Sequence, residues 1–173
     1  MSPARRASAS VTPANAPVTG EELPLGALGG MLARTIADRT YHYLAEAGVE
    51  YVRPAGVFVL SSLSAGPASV TELAERCDVT KQAISRILVG LEDQNLVRSV
   101  PDPRDGRMKV VQLTTKGRRI FDATLLASLR VEDEWRAVIG DTRMNEVRDA
   151  MLAYIVAQGN WEPGETPRLR PTW

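Results

Sequence analysis

The chain is 173 residues long, 44% hydrophobic and 24% charged, which is enough apolar content for one domain with a buried core. Lys plus Arg number 21 and Asp plus Glu 21, so the net charge argues against a polybasic, histone-like binder; the single Cys excludes an internal disulfide, and the single His leaves little for a metal site. No apolar run approaches the roughly 20 residues of a membrane span, and Met1–Val11 carries Arg5 and Arg6 without an apolar stretch, so the expected setting is reducing, soluble and cytoplasmic.

Proline placement sets the expected boundaries. Pro3, Pro13, Pro17 and Pro24 mark an N-terminal tail over 1–24, and Pro163, Pro167 and Pro171 a C-terminal tail over 161–173, leaving a folded region over 25–160. Leu25, Leu28, Leu32 and Ile36 recur at helical steps toward Tyr43 and Leu44, which predicts a first helix that stops at Gly48. Pro54 suits the first turn of a second helix carrying Val57, Leu60 and Leu63 and ending at Gly66-Pro67. Ser69 and Glu72 form a capping box for a third helix with Val70, Leu73 and Ala74 inward. Thr80 caps a fourth, with Ile84, Ile87, Leu88 and Leu91 on its inner face, and Asn95 tolerates the left-handed conformation that ends it. Val97–Pro101 and Met108–Leu113 read as a hairpin around a turn-rich tip. Thr114 caps a long fifth helix stopped by Gly140, and Asp141 is expected to cap a sixth with Met144, Val147, Met151, Tyr154 and Ile155 on one stripe. The fold class is therefore mainly α with a small β-hairpin wing (α+β), with helices before and after the hairpin.

Two helices joined by a short turn at Cys77–Thr80, the second with a polar outer face, follow the helix-turn-helix pattern. Lys81, Gln82, Ser85 and Arg86 lie near that helix start, where a recognition helix meets base edges, and their chemistries match those edges. A merely solvated helix face would carry similar residues; the adjacent hairpin, with Arg104 and Arg107 at its tip, sets this one apart, because long cations on a short loop suit a narrow minor groove. Residues 80–119 hold nine Lys and Arg against four Asp and Glu, a local +5 balanced by −5 elsewhere, and all three lysines fall there. The neutral total thus conceals a basic segment over the reading elements and an acidic remainder.

From Ser69 through Gly117 the sequence resembles the MarR family of winged helix-turn-helix transcriptional regulators, in the stretches TELAERCDVTKQAISRILVGLEDQNLV, DPRDGR and LTTKG. The resemblance implies a sequence-specific, ligand-responsive repressor that binds a pseudo-palindromic double-stranded DNA operator as a homodimer. It also implies a DNA-binding core over 53–113 and dimerisation helices over 25–47, 114–139 and 141–158. Its DNA-contacting positions correspond here to Thr80, Lys81, Gln82, Ser85, Arg86, Arg104, Asp105, Arg107 and Lys109, with Asp105 expected to orient arginine side chains. Gly90 departs from a good helix former and reads as close helix packing or local softness. Patterning gives the dimer independently: a helix from Thr114 to Ile139 would be about 39 Å long, more than a core of this size covers.

The same family often binds small phenolic or anionic ligands, and Arg39, His42, Arg53 and Trp135 are the candidates for such an effector pocket. Cys77 follows the apolar face of the third helix and reads as a buried small side chain, not a redox sensor. LGALGG at 25–30 follows no strand and precedes no Lys, so it is no phosphate loop. No nucleophile–base pair, carboxylate dyad or metal cluster is evident, so neither an enzyme nor a cofactor is expected. The competing reading is a winged-helix protein-interaction module without sequence-specific DNA readout.

Overall fold

Side-chain capping chemistry sets the helix starts. The computed structural model describes residues 23–103 and 105–159; the two expected tails, apart from Leu23 and Pro24, and Arg104 at the wing tip lie outside the described residues. Its elements are α1 (Leu25–Glu46), α2 (Pro54–Ser64), α3 (Val70–Arg76), α4 (Lys81–Asp93), β1 (Val97–Pro101), β2 (Lys109–Leu113), α5 (Thr115–Ile139) and α6 (Asp141–Ala157). The order is the expected one. Ser69 Oγ accepts from Glu72 N at 3.2 Å while Glu72 Oε2 accepts from Ser69 N at 2.7 Å, a complete capping box. Thr80 Oγ1 accepts from Ala83 N at 3.2 Å, and Thr114 Oγ1 from Gly117 N at 3.0 Å. Asp141 corrects the expectation: the residue flanking α6 is Gly140, at φ 80° and ψ 160°, and Asp141 is already the first helical residue. Because Gly140 also ends α5, one residue both closes that helix and opens the next, leaving no separate position for a side-chain cap.

The described residues fall into two compact units, divided between Thr35 and Ile36. Within the first, Pro24 O accepts from Ala27 N and Leu28 N at 2.9 and 3.1 Å and starts α1. In the second, α1 ends as expected: Gly48 takes φ 66°, and Val49 N donates back to Leu44 O at 2.9 Å. The core of this unit is Val59, Leu60 and Leu63 from α2, Leu73 and Ala74 from α3, Ile84, Leu88 and Leu91 from α4, joined by Val52, Ala68, Cys77, Leu96, Val97, Val111 and Ile120. It lies beneath the helix-turn-helix and the wing root, so apolar burial stabilises the parts that must present a polar surface.

The wing is a two-stranded antiparallel sheet with Val97 opposite Leu113 and Pro101 opposite Lys109. An isolated bridge the sequence pattern did not indicate ties it to the helices: Ala68 N donates to Val111 O at 3.0 Å and Val111 N to Ala68 O at 2.8 Å. The closest approach is at Gly117, where a Cβ would stand 1.9 Å from the carbonyl oxygen of Leu96. At Gly90, by contrast, a Cβ would meet nothing within 4 Å, which overturns the close-packing explanation for that glycine. These two glycines should therefore respond oppositely to alanine. In urea denaturation at fixed protomer concentration, Gly117→Ala should lose about 1–3 kcal/mol or more through overpacking, whereas Gly90→Ala should gain up to about 1 kcal/mol from helix propensity.

Candidate nucleic-acid interface

The turn between α3 and α4 is closed by Val79 N donating to Ala74 O at 3.0 Å and Cys77 N to Leu73 O at 2.9 Å. Asp78 bears its left-handed step at φ 49°, a conformation Asp tolerates better than most residues. α4 then buries Ile84, Leu88 and Leu91 and turns Lys81, Gln82, Ser85 and Arg86 to solvent. Thr80 is also exposed, with its oxygen engaged by Ala83 N and its hydroxyl hydrogen free to donate. Ser85 Oγ donates to Lys81 O at 2.9 Å, which leaves its oxygen as an acceptor. α4 thus offers an ammonium, a carboxamide, a hydroxyl and a guanidinium near its first two turns.

At the wing tip, Asp102 N donates to Met108 O and Met108 N to Asp105 O, both at 2.8 Å. Asp105 Oδ1 accepts from the backbone N–H of Arg107 at 3.0 Å, so its carboxylate shapes the turn that carries Arg107. Arg107 and Lys109 are exposed. α4 and the wing are joined at their roots by one junction. Leu96 O accepts from Thr114 N at 3.0 Å and Thr114 Oγ1 at 3.2 Å, Asn95 O from Thr114 Oγ1 at 2.7 Å, and Gln94 O from Lys116 Nζ at 2.9 Å. Asn95 takes φ 56°, as its residue type allows.

Among the described residues, two of the four effector candidates, Arg53 and Trp135, line different cavities. Arg39 forks onto Glu134, with Nε 3.0 Å from Oε2 and Nη2 on Oε1, and Tyr43 OH donates to the same carboxylate. Arg130 stacks over the Tyr43 ring at 3.8 Å, completing a cluster that ties α1 to α5. His42 Nε2 lies 3.1 Å from Glu46 one helical turn on. Arg53 lines a cleft with Arg86, Ile87, Gly90, Leu91 and Gln94, and Trp135 lines a separate groove of about 360 Å³ between α5 and α6. Sequence spacing gave no sign of Arg39's partner, which is 95 residues away. Cys77 is buried, and that burial pushes its thiol pKa up, the profile of an unreactive core thiol. Among the described residues no group of three or more His, Cys, Asp or Glu could hold a metal ion, and no helix is long and apolar enough to cross a membrane.

The Arg39 guanidinium, and then the Tyr43 hydroxyl, hold the Glu134 carboxyl at about 2. A lowered folded-state value means the link is fully present above about pH 4.5 and is lost as pH falls toward 2. Acid titration of stability should therefore show a steeper fall between about pH 5 and 2 for the wild type than for Glu134→Gln, which lacks the group; identical acid limbs would contradict the pairing.

A sequence profile of the MarR family matches residues 55–108, from the start of α2 to the wing. Over 93 residues, 51% of this chain and 52% of the relative, the sequence is 32% identical to the transcriptional activatory protein BadR of Rhodopseudomonas palustris. Over 75 residues, 43% of this chain and 48% of the relative, it is 36% identical to the HTH-type transcriptional repressor MdtR of Bacillus subtilis. The chain thus spans about half the length of the curated relatives it matches. Among solved structures, the transcriptional repressor CouR bound to a 23-mer DNA duplex superposes with a TM-score of 0.61 at 26% identity, covering 79% of this chain and 92% of that one.

Proposed function

We propose that this chain, which matches the MarR family over residues 55–108, is a sequence-specific DNA-binding transcriptional regulator, a repressor that binds a pseudo-palindromic operator as a homodimer and is released by a small ligand. The observation that carries the reading is the pairing of an exposed polar start on α4 with an exposed cationic wing, both rooted in one hydrogen-bonded junction. In this reading Lys81, Gln82, Ser85 and Arg86 enter a major groove, Thr80 donates to the backbone, and Arg104, Arg107 and Lys109 reach the flanking minor groove. The CouR structure, a relative solved on DNA, supports it.

The homodimer rests on apolar surface that one copy leaves open. Leu125, Leu126 and Leu129 of α5 and Met151, Leu152, Tyr154, Ile155 and Val156 of α6 are exposed. Among the described residues, the expected α6 stripe is buried at Met144, half-buried at Val147 and exposed at Met151, Tyr154 and Ile155. Closely spaced exposed apolar residues of this kind call for a partner surface. Release by a ligand requires only that it favour a dimer geometry with mis-spaced recognition helices, so that DNA affinity falls by the difference in ligand affinity between the two geometries.

Selection of bound duplexes from a random pool should return two half-sites whose centres lie about one helical turn apart, roughly 10 base pairs. Against that operator, Arg107→Ala should lose about 1–3 kcal/mol, and Gln82→Ala should relax the preference at one base position. Equal binding to all duplexes, or none, would overturn the reading in favour of a protein-interaction module; a monomer by light scattering at micromolar concentration would overturn the dimer.

A further inference from the structure

A cleft of about 450 Å³ lies between the start of α2 and one flank of α4, lined by Val52, Arg53, Ala55, Gly56, Arg86, Ile87, Gly90, Leu91 and Gln94. Its lining holds two guanidinium groups and no carboxylate. Neither the Arg53 nor the Arg86 side chain has an ion-pair or hydrogen-bond partner among the described residues, as is also true of the exposed Arg107, Arg119 and Arg143 side chains. Arg53 flanks α2 without a side-chain capping bond, at a position where helices favour Ser, Thr, Asp or Asn. Nothing in the local structure therefore accounts for an arginine there.

The position of Arg86 on α4 is equally specific. At about 100° per residue, Lys81, Gln82 and Ser85 share one sector, and Arg86 stands about 40° beyond Gln82, toward Gly90 and Gln94. It thus borders both the reading face and the cleft. Gly90 contributes no side chain to the lining, and a Cβ there would project into open space, which keeps the approach between the two arginines clear. The Gln94 carboxamide is held by Nε2 donating to Tyr51 O at 3.3 Å.

We propose that Arg53 and Arg86 together clamp one backbone phosphodiester of the operator, at the edge of the groove that α4 enters. This rests on the DNA-binding reading above and deepens it: Arg53 becomes a further DNA-contact residue, and Arg86 serves register on the backbone instead of base identity. The chemistry fits, because a phosphodiester presents two non-bridging oxygens that planar guanidinium forks can share. A free oxyanion such as inorganic phosphate has the same oxygens, so the test separates the two sources.

The experiment is a fluorescence-anisotropy titration of the full chain against the selected operator and a scrambled duplex, from 0.1 to 1 M KCl. Removing one phosphate contact lowers the slope of log affinity against log salt by about 0.9, equivalent to a loss of about 8-fold at 0.1 M relative to 1 M. The Arg53→Gln/Arg86→Gln double variant should show that whole change and each single variant part of it, by the same factor on both duplexes, with an unaltered base preference in repeat selection. Arg53→Lys should retain the slope, which a purely structural role would not require. Wild type that fails to bind any duplex overturns the DNA-binding reading and this inference with it. Wild type that binds while Arg53→Gln keeps affinity and slope overturns this inference alone. Calorimetric binding of inorganic phosphate that Arg53→Gln abolishes, without any change in the DNA salt slope, also overturns it in favour of a free-anion site.

Discussion

The structure depends on one point of contact, the carbonyl of Leu96. It follows the left-handed turn at Asn95 that ends α4, precedes β1, and accepts both the backbone and the side chain of Thr114 at the start of α5. α4, the wing and α5 therefore meet at one buried residue. The neighbouring carbonyls of Gln94 and Asn95 are also satisfied by the chain that begins α5. A helix end left with bare carbonyls costs free energy when buried, and here the start of one helix supplies the donors for the end of another. The LTTKG stretch then has a residue-by-residue physical account: Thr114 supplies the cap, Lys116 the donor to Gln94, and Gly117 the missing Cβ without which the oxygen of Leu96 could not come so close.

Around that junction the molecule separates two kinds of force. Apolar burial is concentrated beneath α2–α4 and the wing root, while the cluster of Arg39, Tyr43, Glu134 and Arg130 joins α1 to α5 through charge and hydrogen bonds at half-exposed positions. Exposed ion pairs of this kind contribute little to stability and are screened by salt. The core under the reading elements is thus the stiffer part, and the joint between α1 and α5 is the one whose strength depends on pH and ionic strength.

What the sequence revealed was what acts locally. Ser69 with Glu72, Thr80, Thr114, Asn95 and Gly48 all do within four residues what their chemistry implies, so the element order and the exposed face of α4 were legible. The misses arise where a distant residue decides. Glu134 claims Arg39 from across the chain, and Arg53 and Trp135 line different cavities. Ala68 pairs with Val111 although no strand pattern surrounds it. Asp141 looked like a cap because the sequence does not announce that Gly140 serves two helices at once.

That shared glycine has a mechanical consequence. α6 is a rigid rod of 17 residues, about 25 Å long at 1.5 Å per residue, attached to α5 through a single residue whose torsions are those of the least hindered amino acid. A turn of about 10° at that joint sweeps the far end of the rod by roughly 4 Å, comparable to one step along an α-helical ridge. The clasp of Glu132 on Arg136 and Arg148 spans the joint and sets its resting angle. Whatever grips Met151–Val156 therefore holds a long lever arm with one pivot and an electrostatic latch.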